Sequence, residues 1–263
     1  NGIAKLRINP GNIGGDKHVK ELADCAKAHH IPIRIGVNSG SVEKDILEKE
    51  GGVTPKGMVE SALRHARLLE KQGFYDTVLS MKSSDVRQTV DAYQLASKLC
   101  DYPLHVGVTE AGLPGRGTVK SAIGIGALLL QGIGDTIRVS LTGSPIPEAA
   151  AAWDILRALN LRSPGIHLIS CPTCGRTSIP VDEIARRVEE ELKDITVSMK
   201  VAVMGCVVNG PGEAKEADVG IAGGGSGAGA LFIKGQPPRK VEGDLAAILI
   251  AAVREAAVKK EGK

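Results

Sequence analysis

The sequence predicts a two-domain α/β protein: a parallel sheet of repeated strand–helix units, followed by a smaller α+β domain. From residue 4 to about 160, a short β-branched run, a polar loop and an amphipathic helix recur in five units, and strands that alternate with helices pair in parallel. The runs begin 28, 44, 28 and 32 residues apart, close to the roughly 31 residues per unit of an eight-stranded α/β barrel of ~250 residues. After Arg162-Ser163-Pro164-Gly165, which reads as a linker, the pattern changes.

The five runs are Ala4–Ile8, Pro32–Val37, Asp76–Met81, Leu104–Val108 and Thr136–Leu141, with helical patterns over 22–29, 91–99 and 148–159. Five units do not close a conventional barrel, so either the sheet is open or three further units precede Asn1. The first domain is expected over 1–161 and the second over 166–263. In the second, Ile166–Ser170 reads as a strand, Val181–Asp194 as a helix started by Pro180, and Thr196–Met204 as a strand. Two short strands flank a loop at Gly223–Gly229, and a last helix begins near Asp244. The glycine run resembles a nucleotide loop, but the strand-like Ala230-Leu231-Phe232-Ile233 follows it instead of a helix. It therefore reads as a turn where backbone approaches something closely.

Composition narrows the function. Of 263 residues, 43% are hydrophobic and 24% charged, as in a folded globular protein. Two Phe, three Tyr and one Trp leave little for stacking on nucleic-acid bases. The 33 basic and 30 acidic residues leave a net +3 without basic runs, so no nucleic-acid partner is expected. The longest apolar stretches, 122–130 and 245–253, fall short of the roughly 20 residues that cross a bilayer, so no membrane partner is expected either. Five cysteines and no secretory segment suggest a reducing compartment, where a close pair signals metal or redox chemistry. The expected location is a bacterial-type cytoplasm, with an upstream targeting segment left open.

In a barrel the functional loops follow the C-terminal ends of the strands. Arg7 and Asn9 stand two apart on the first run, Arg34 and Asn38 four apart on the second, and Arg138 and Ser140 two apart on the fifth, so each pair shares a face. Lys82 closes the third run, and Thr109 and Glu110 close the fourth. Three arginines and a lysine at one mouth, with one carboxylate, favour a phosphorylated substrate, and Glu110 is placed to act as a general acid or base. The bland reading pairs each cation with a neighbouring acid on a solvated surface. His29 and His30 read as a helix cap or as solvent-facing.

Cys171-Pro172-Thr173-Cys174 follows a strand, and Cys206 ends another, 32 residues beyond Cys174. Cys25 and Cys100 lie in helical segments and read as small buried hydrophobes. Three thiolates are one short of a usual structural zinc site. A cubane iron–sulfur cluster accounts better for them, its fourth iron taking a weak oxygen ligand. The turn Asn209-Gly210-Pro211-Gly212 could carry Glu213 back toward it. A zinc-stabilised α/β phosphate-binding module without redox chemistry is the alternative.

C-P-T-C-G-R-T at 171–177, M-G-C-V-V-N-G-P-G-E at 204–213, K-L-R-I-N-P-G-N-I-G at 5–14, V-T-E-A-G at 108–112 and R-V-S-L-T-G at 138–143 resemble the 4-hydroxy-3-methylbut-2-en-1-yl diphosphate synthases of the non-mevalonate isoprenoid pathway. The resemblance covers the whole chain. It implies a TIM-type barrel that binds 2-C-methyl-D-erythritol 2,4-cyclodiphosphate and a second domain similar to nitrite/sulfite-reductase domains. The second domain would hold a [4Fe–4S] cluster on Cys171, Cys174, Cys206 and Glu213. Substrate contacts would come from Arg7, Asn9, Arg34, Asn38, Lys82, Thr109, Arg138 and Ser140, with Glu110 and Glu213 catalytic. The reaction implied is a reductive ring opening and dehydration, with flavodoxin or ferredoxin as electron donor and a homodimer in which one subunit's cluster domain covers its partner's barrel. The first three barrel units of the family are expected to lie before Asn1.

Overall fold

The computed structural model describes residues 2–9, 16–162, 164–225 and 227–262. Residues 10–14 of the motif at 5–14 and the linker residue Ser163 lie outside the described residues. The chain divides into two compact units, Asn1–Leu159 and Asn160–Lys263.

The first unit runs β1 (Leu6–Ile8), α1 (Asp16–Ala28), β2 (Ile33–Asn38), α2 (Lys44–Glu50), α3 (Pro55–Lys71), β3 (Thr77–Lys82), α4 (Val86–Leu99), β4 (His105–Val106), α5 (Arg116–Leu129), β5 (Thr136–Ile137) and α6 (Ile146–Ala158). Strands β1, β2 and β3 pair in parallel, as do β4 and β5. A parallel bridge from Leu79 to Leu104 joins the two groups. The strands thus stand in chain order, an arc of parallel sheet that does not close into a ring among the described residues.

The long second interval of the repeat holds a helix that periodicity did not separate. Gly51, at φ 72°, ends α2, and the Thr54 Oγ1 accepts from Gly57 N at 2.9 Å to start α3. Strands β4 and β5 are shorter than the apolar runs that predicted them. At Gly107 the two backbones crowd together, and a Cβ there would overlap the Arg138 carbonyl oxygen.

Alternation along the strands sorts two faces. Ile33, Ile35 and Val37 of β2 and Leu79 and Met81 of β3 are buried with Met58, Ala62, Ala66 and Leu69 of α3 and Ala92 and Tyr93 of α4. The opposite face, the inside of the arc, takes Arg34, Gly36 and Asn38 from β2 and Val78, Ser80 and Lys82 from β3. Cys25 corrects its expectation. Val19, Ala23 and Ala26 form the buried stripe of α1, and Cys25 falls outside it and is exposed. Cys100 is half-buried at the end of α4, and burial pushes its thiol up. His29 Nδ1 donates to the Cys25 carbonyl at 2.9 Å, at the end of α1.

The second unit runs β6 (Ile166–Ser170), α7 (Val181–Glu191), β7 (Met199–Met204), α8 (Gly210–Glu216), β8 (Val219–Gly225), β9 (Ala228–Ile233), β10 (Arg239–Val241) and α9 (Leu245–Glu261). Its sheet has the order β10-β9-β8-β7-β6. The first three strands in sequence are parallel, and β9 and β10 return antiparallel. Helices α7 and α9 bury their apolar faces with Val201, Val203, Val219 and Ile221, whereas α8 packs through Ala214 against Ala202, Met204 and Ala222. The glycine stretch differs from the expected loop: Gly223 pairs with Gly229 and Gly225 with Ala228, so the strands run through it. The close approach is real, since a Cβ on Gly223 would meet the Gly205 carbonyl and the Ser178 hydroxyl. Among the described residues no helix is long and apolar enough to cross a membrane.

One side chain repairs the weak seam between β3 and β4. The Tyr93 hydroxyl accepts from Met81 N at 3.1 Å and donates to the His105 carbonyl at 2.6 Å, and the residue is fully buried. Tyr93→Phe leaves a buried N–H and a buried C=O without this partner, which costs about 1–3 kcal/mol. Chemical denaturation is expected to show that loss, and a midpoint equal to wild type would remove Tyr93 from this role.

Candidate functional site

The inner face of the arc is built in rows. Pairing sets Arg7 beside Arg34, Asn38 beside Lys82, and His105 beside Thr136. Small residues at inner positions make room for long neighbours. The Arg7 side chain lies across Gly36, donating to its carbonyl at 3.0 Å and reaching Asn38 Oδ1 at 3.5 Å. Lys82 Nζ lies 3.6 Å from where a Gly107 Cβ would stand. Alanine at either glycine would collide with the arrangement.

The result is a concentration of positive charge without an ion-paired counter-charge among the described residues. Lys82 is only 5% exposed. Burial, reinforced by Arg34, Arg138 and Arg7, lowers its ammonium from the ordinary 10.5 to about 7. Burial and then Arg7 lower Arg34, whose Nε is buried without a hydrogen-bond partner. Among the described residues none of Arg7, Arg34, Lys82 and Arg138 forms an ion pair. Arg7 and Arg138 are exposed, as a solvated surface would have them, but the pairing with neighbouring acids is absent among the described residues and Lys82 is buried.

Around the cations stand the remaining sequence-expected residues. Asn9 and Ser140 are half-buried and Thr109 is buried, its amide donating to the Ser83 carbonyl at 3.2 Å. Glu110 is exposed and holds a left-handed backbone at φ 52°. That conformation is uncommon for a residue with a side chain, and His30 and Asn160 share it. Glu110 forms no ion pair with the four cations among the described residues.

His105 and Tyr93 were missed by motif reasoning. His105 lies two residues before Gly107 on the inner face, so the period of two that found Arg138 and Ser140 also reaches it. Its Nδ1 shares a hydrogen bond with Thr136 Oγ1 at 2.8 Å. Burial, then Lys82 and Arg34, hold the imidazole down at about 3.

In the second unit the thiols sit at neighbouring strand ends. Cys171 follows β6, and its backbone N donates to the Val203 carbonyl at 3.2 Å, while its Sγ accepts from Gly205 N at 3.0 Å. Cys174 lies in the next turn, where its backbone N donates to Thr177 Oγ1 at 3.0 Å. The backbone N–H of Arg176 lowers the Cys174 thiol, and those of Asn209 and Val208 lower Cys206. Glu213 lies in the first turn of α8, its side chain exposed. All five cysteines are free. Among the described residues, however, no three His, Cys, Asp or Glu side chains are gathered closely enough to hold a metal ion. Cys171, Cys174, Cys206 and Glu213 therefore share one end of the sheet without forming a ready-made shell. Their chemistry still suits an iron–sulfur cluster, since it combines free thiols, two biased toward thiolate, with a backbone N–H aimed at sulfur.

A family model described as "GcpE TIM-barrel domain" matches residues 1–153, and one described as "GcpE protein C-terminal domain" matches residues 167–255. The chain is 61% identical over 236 residues to the 4-hydroxy-3-methylbut-2-en-1-yl diphosphate synthase (flavodoxin) of Caldanaerobacter subterraneus subsp. tengcongensis, covering 90% of this chain and 66% of that protein. A protein of the same name from Clostridium tetani is 58% identical over 255 residues, 97% of this chain and 73% of its own length. Another, from Fusobacterium nucleatum subsp. nucleatum, is 60% identical over 241 residues, covering 92% and 68%. The chain thus spans about two thirds to three quarters of these relatives.

The Lys82 shift has a definite consequence for stability. Between pH 7 and 10.5 the unfolded chain holds a proton on Lys82 that the folded chain has lost. Stability attributable to Lys82 therefore rises with pH across that window, by up to about 1.4 kcal/mol per pH unit. Lys82→Met should be more stable than wild type at pH 6, with the difference shrinking toward pH 9 in urea titrations. A difference independent of pH would contradict the shift.

Proposed function

The chain belongs to the GcpE family, and we propose that it catalyses the reductive ring opening and dehydration of 2-C-methyl-D-erythritol 2,4-cyclodiphosphate to 4-hydroxy-3-methylbut-2-en-1-yl diphosphate. The observation that carries this reading is the uncompensated set of cations on the inner face of the arc. A cyclic diphosphate supplies the negative charge that the described residues lack. Arg7, Arg34, Lys82 and Arg138 bind its two phosphates, arginine through paired N–H groups and lysine as a compact charge. Asn9, Asn38, Thr109 and Ser140 offer hydrogen bonds to the sugar-derived hydroxyls. Charge brought by the ligand favours the protonated form of Lys82.

The conversion takes up two electrons and two protons, opens one carbon–oxygen bond of the ring, and loses one water. Glu110, held in its left-handed turn, is the carboxyl we assign to proton delivery near the reacting carbons. A [4Fe–4S] cluster held by Cys171, Cys174, Cys206 and Glu213 would supply the electrons one at a time. Among them, Gly205 N–H steadies the Cys171 sulfur and the turn after Cys206 steadies its own. The names of the relatives specify flavodoxin, which we take as the electron donor in preference to ferredoxin. The likeness of the second unit to nitrite/sulfite-reductase domains, the homodimer and a cytoplasmic setting belong to the same proposal. The zinc-module alternative is not carried forward, because its premise of absent redox chemistry disagrees with relatives at 58–61% identity.

Anaerobic reconstitution of the chain with iron and sulfide is expected to give a brown protein with about four of each per chain. Cys206→Ser should lose most of that iron, whereas the exposed Cys25→Ser should keep it. Colourless protein that retains zinc after the same treatment would overturn the cluster assignment.

A further inference from the structure

Among the described residues, His105 is a titratable group on the inner face that the proposed reaction does not use. It stands in the row Ser80–His105–Thr136, one step toward the strand starts from the row of Lys82, Gly107 and Arg138. Its two ring nitrogens differ sharply. Nδ1 is engaged with Thr136 Oγ1 at 2.8 Å, whereas Nε2 is buried and has no hydrogen-bond partner. A buried polar atom left so calls for a reason. The nearest donor of the cation set is Lys82, which is 5% exposed, bears on the His105 ring and forms no ion pair among the described residues. Gly107, two residues along the strand from His105, leaves the gap in which the lysine nitrogen lies.

We propose that His105 is a positioning residue for Lys82, with Thr136 fixing the ring proton on Nδ1 so that the Nε2 lone pair is kept for the lysine. The inference rests on the phosphate-binding reading above. When the ligand's phosphates favour the ammonium, one of its three N–H groups donates to Nε2 and the others are aimed at the ligand. A ring with one free lone pair can do this only while neutral. The charges that bear on it ensure that: Lys82 on β3, Arg34 on β2, Arg138 after β5, and Lys5 ahead of β1. Arg7 adds to the field at Lys82. Histidine here is thus an uncharged acceptor among cations, where a carboxylate would neutralise the charge meant for substrate.

The test is calorimetric titration of the whole chain with 2-C-methyl-D-erythritol 2,4-cyclodiphosphate from pH 6 to 9, for wild type, His105→Phe and His105→Gln. Wild-type affinity should fall as pH rises past the Lys82 value. In His105→Phe, which keeps a ring but no acceptor, the fall should level off about one pH unit lower, and affinity at pH 7.5 should drop about tenfold. In His105→Gln the amide oxygen should restore much of the original profile. An unmoved profile in His105→Phe, with only a lowered unfolding temperature, would overturn the proposal and assign His105 to packing. Nitrogen NMR of labelled histidine in the wild-type chain gives a second reading that needs no variant. A proton on Nε2 would overturn the proposal even where the cyclodiphosphate binds normally. Failure of the wild type to bind at any pH would strike the phosphate-binding reading, and this proposal with it.

Discussion

Repulsion among cations that no carboxylate pairs among the described residues is the constraint on which the first unit depends. Three arginines and a lysine bear on one another across β1, β2, β3 and β5, and Lys82 is nearly buried. Like charges in a poorly hydrated place are unfavourable, and the folded chain relieves them by discharging the member with the most labile proton. That member is Lys82, because guanidinium groups keep their charge. The rest of the sheet works to hold this arrangement. Gly36 and Gly107 clear its floor, β2 and β3 bury their other face on α3 and α4, and Tyr93 ties β3 to β4 where ordinary pairing fails. A site of this kind trades stability for a prepared electrostatic field.

Much of this was legible in the sequence because two simple periods governed it. Alternation along the strands placed Arg7, Arg34, Lys82 and Arg138 on one face, and the strand–helix repeat gave parallel pairing. What escaped had physical causes. Helices α2 and α3 share one interval of the repeat because Gly51 and Thr54 break a stretch whose apolar spacing is otherwise continuous. Strands β4 and β5 are short because crowding at Gly107 is a property of two backbones and leaves no trace in one run of residues. Cys25 is exposed because the buried stripe of α1 passes it by. His105 carries no motif; alternation from Gly107 places it on the inner face, and the register across β4 and β5 sets it beside Thr136.

The second unit reveals less in advance of its cofactor. The motif residues lie at the ends of β6 and β7 and in α8, and glycines 205 and 223 press two backbones together beside them. The two units therefore stand differently toward their ligands. The first is organised by charge already in place, whereas the second sets free thiols at neighbouring strand ends, where the proposed cluster would be held.

The most direct measurement of the central claim is proton uptake on ligand binding. Both ionisable groups of a cyclic diphosphate are strongly acidic, so the ligand itself does not titrate near neutrality. Titrating the chain with 2-C-methyl-D-erythritol 2,4-cyclodiphosphate at pH 8, in buffers of differing ionisation enthalpy, should show about one proton taken up per ligand bound as Lys82 recharges. Binding whose heat is independent of the buffer would contradict the account, for it would mean that Lys82 does not change its protonation state when the ligand binds.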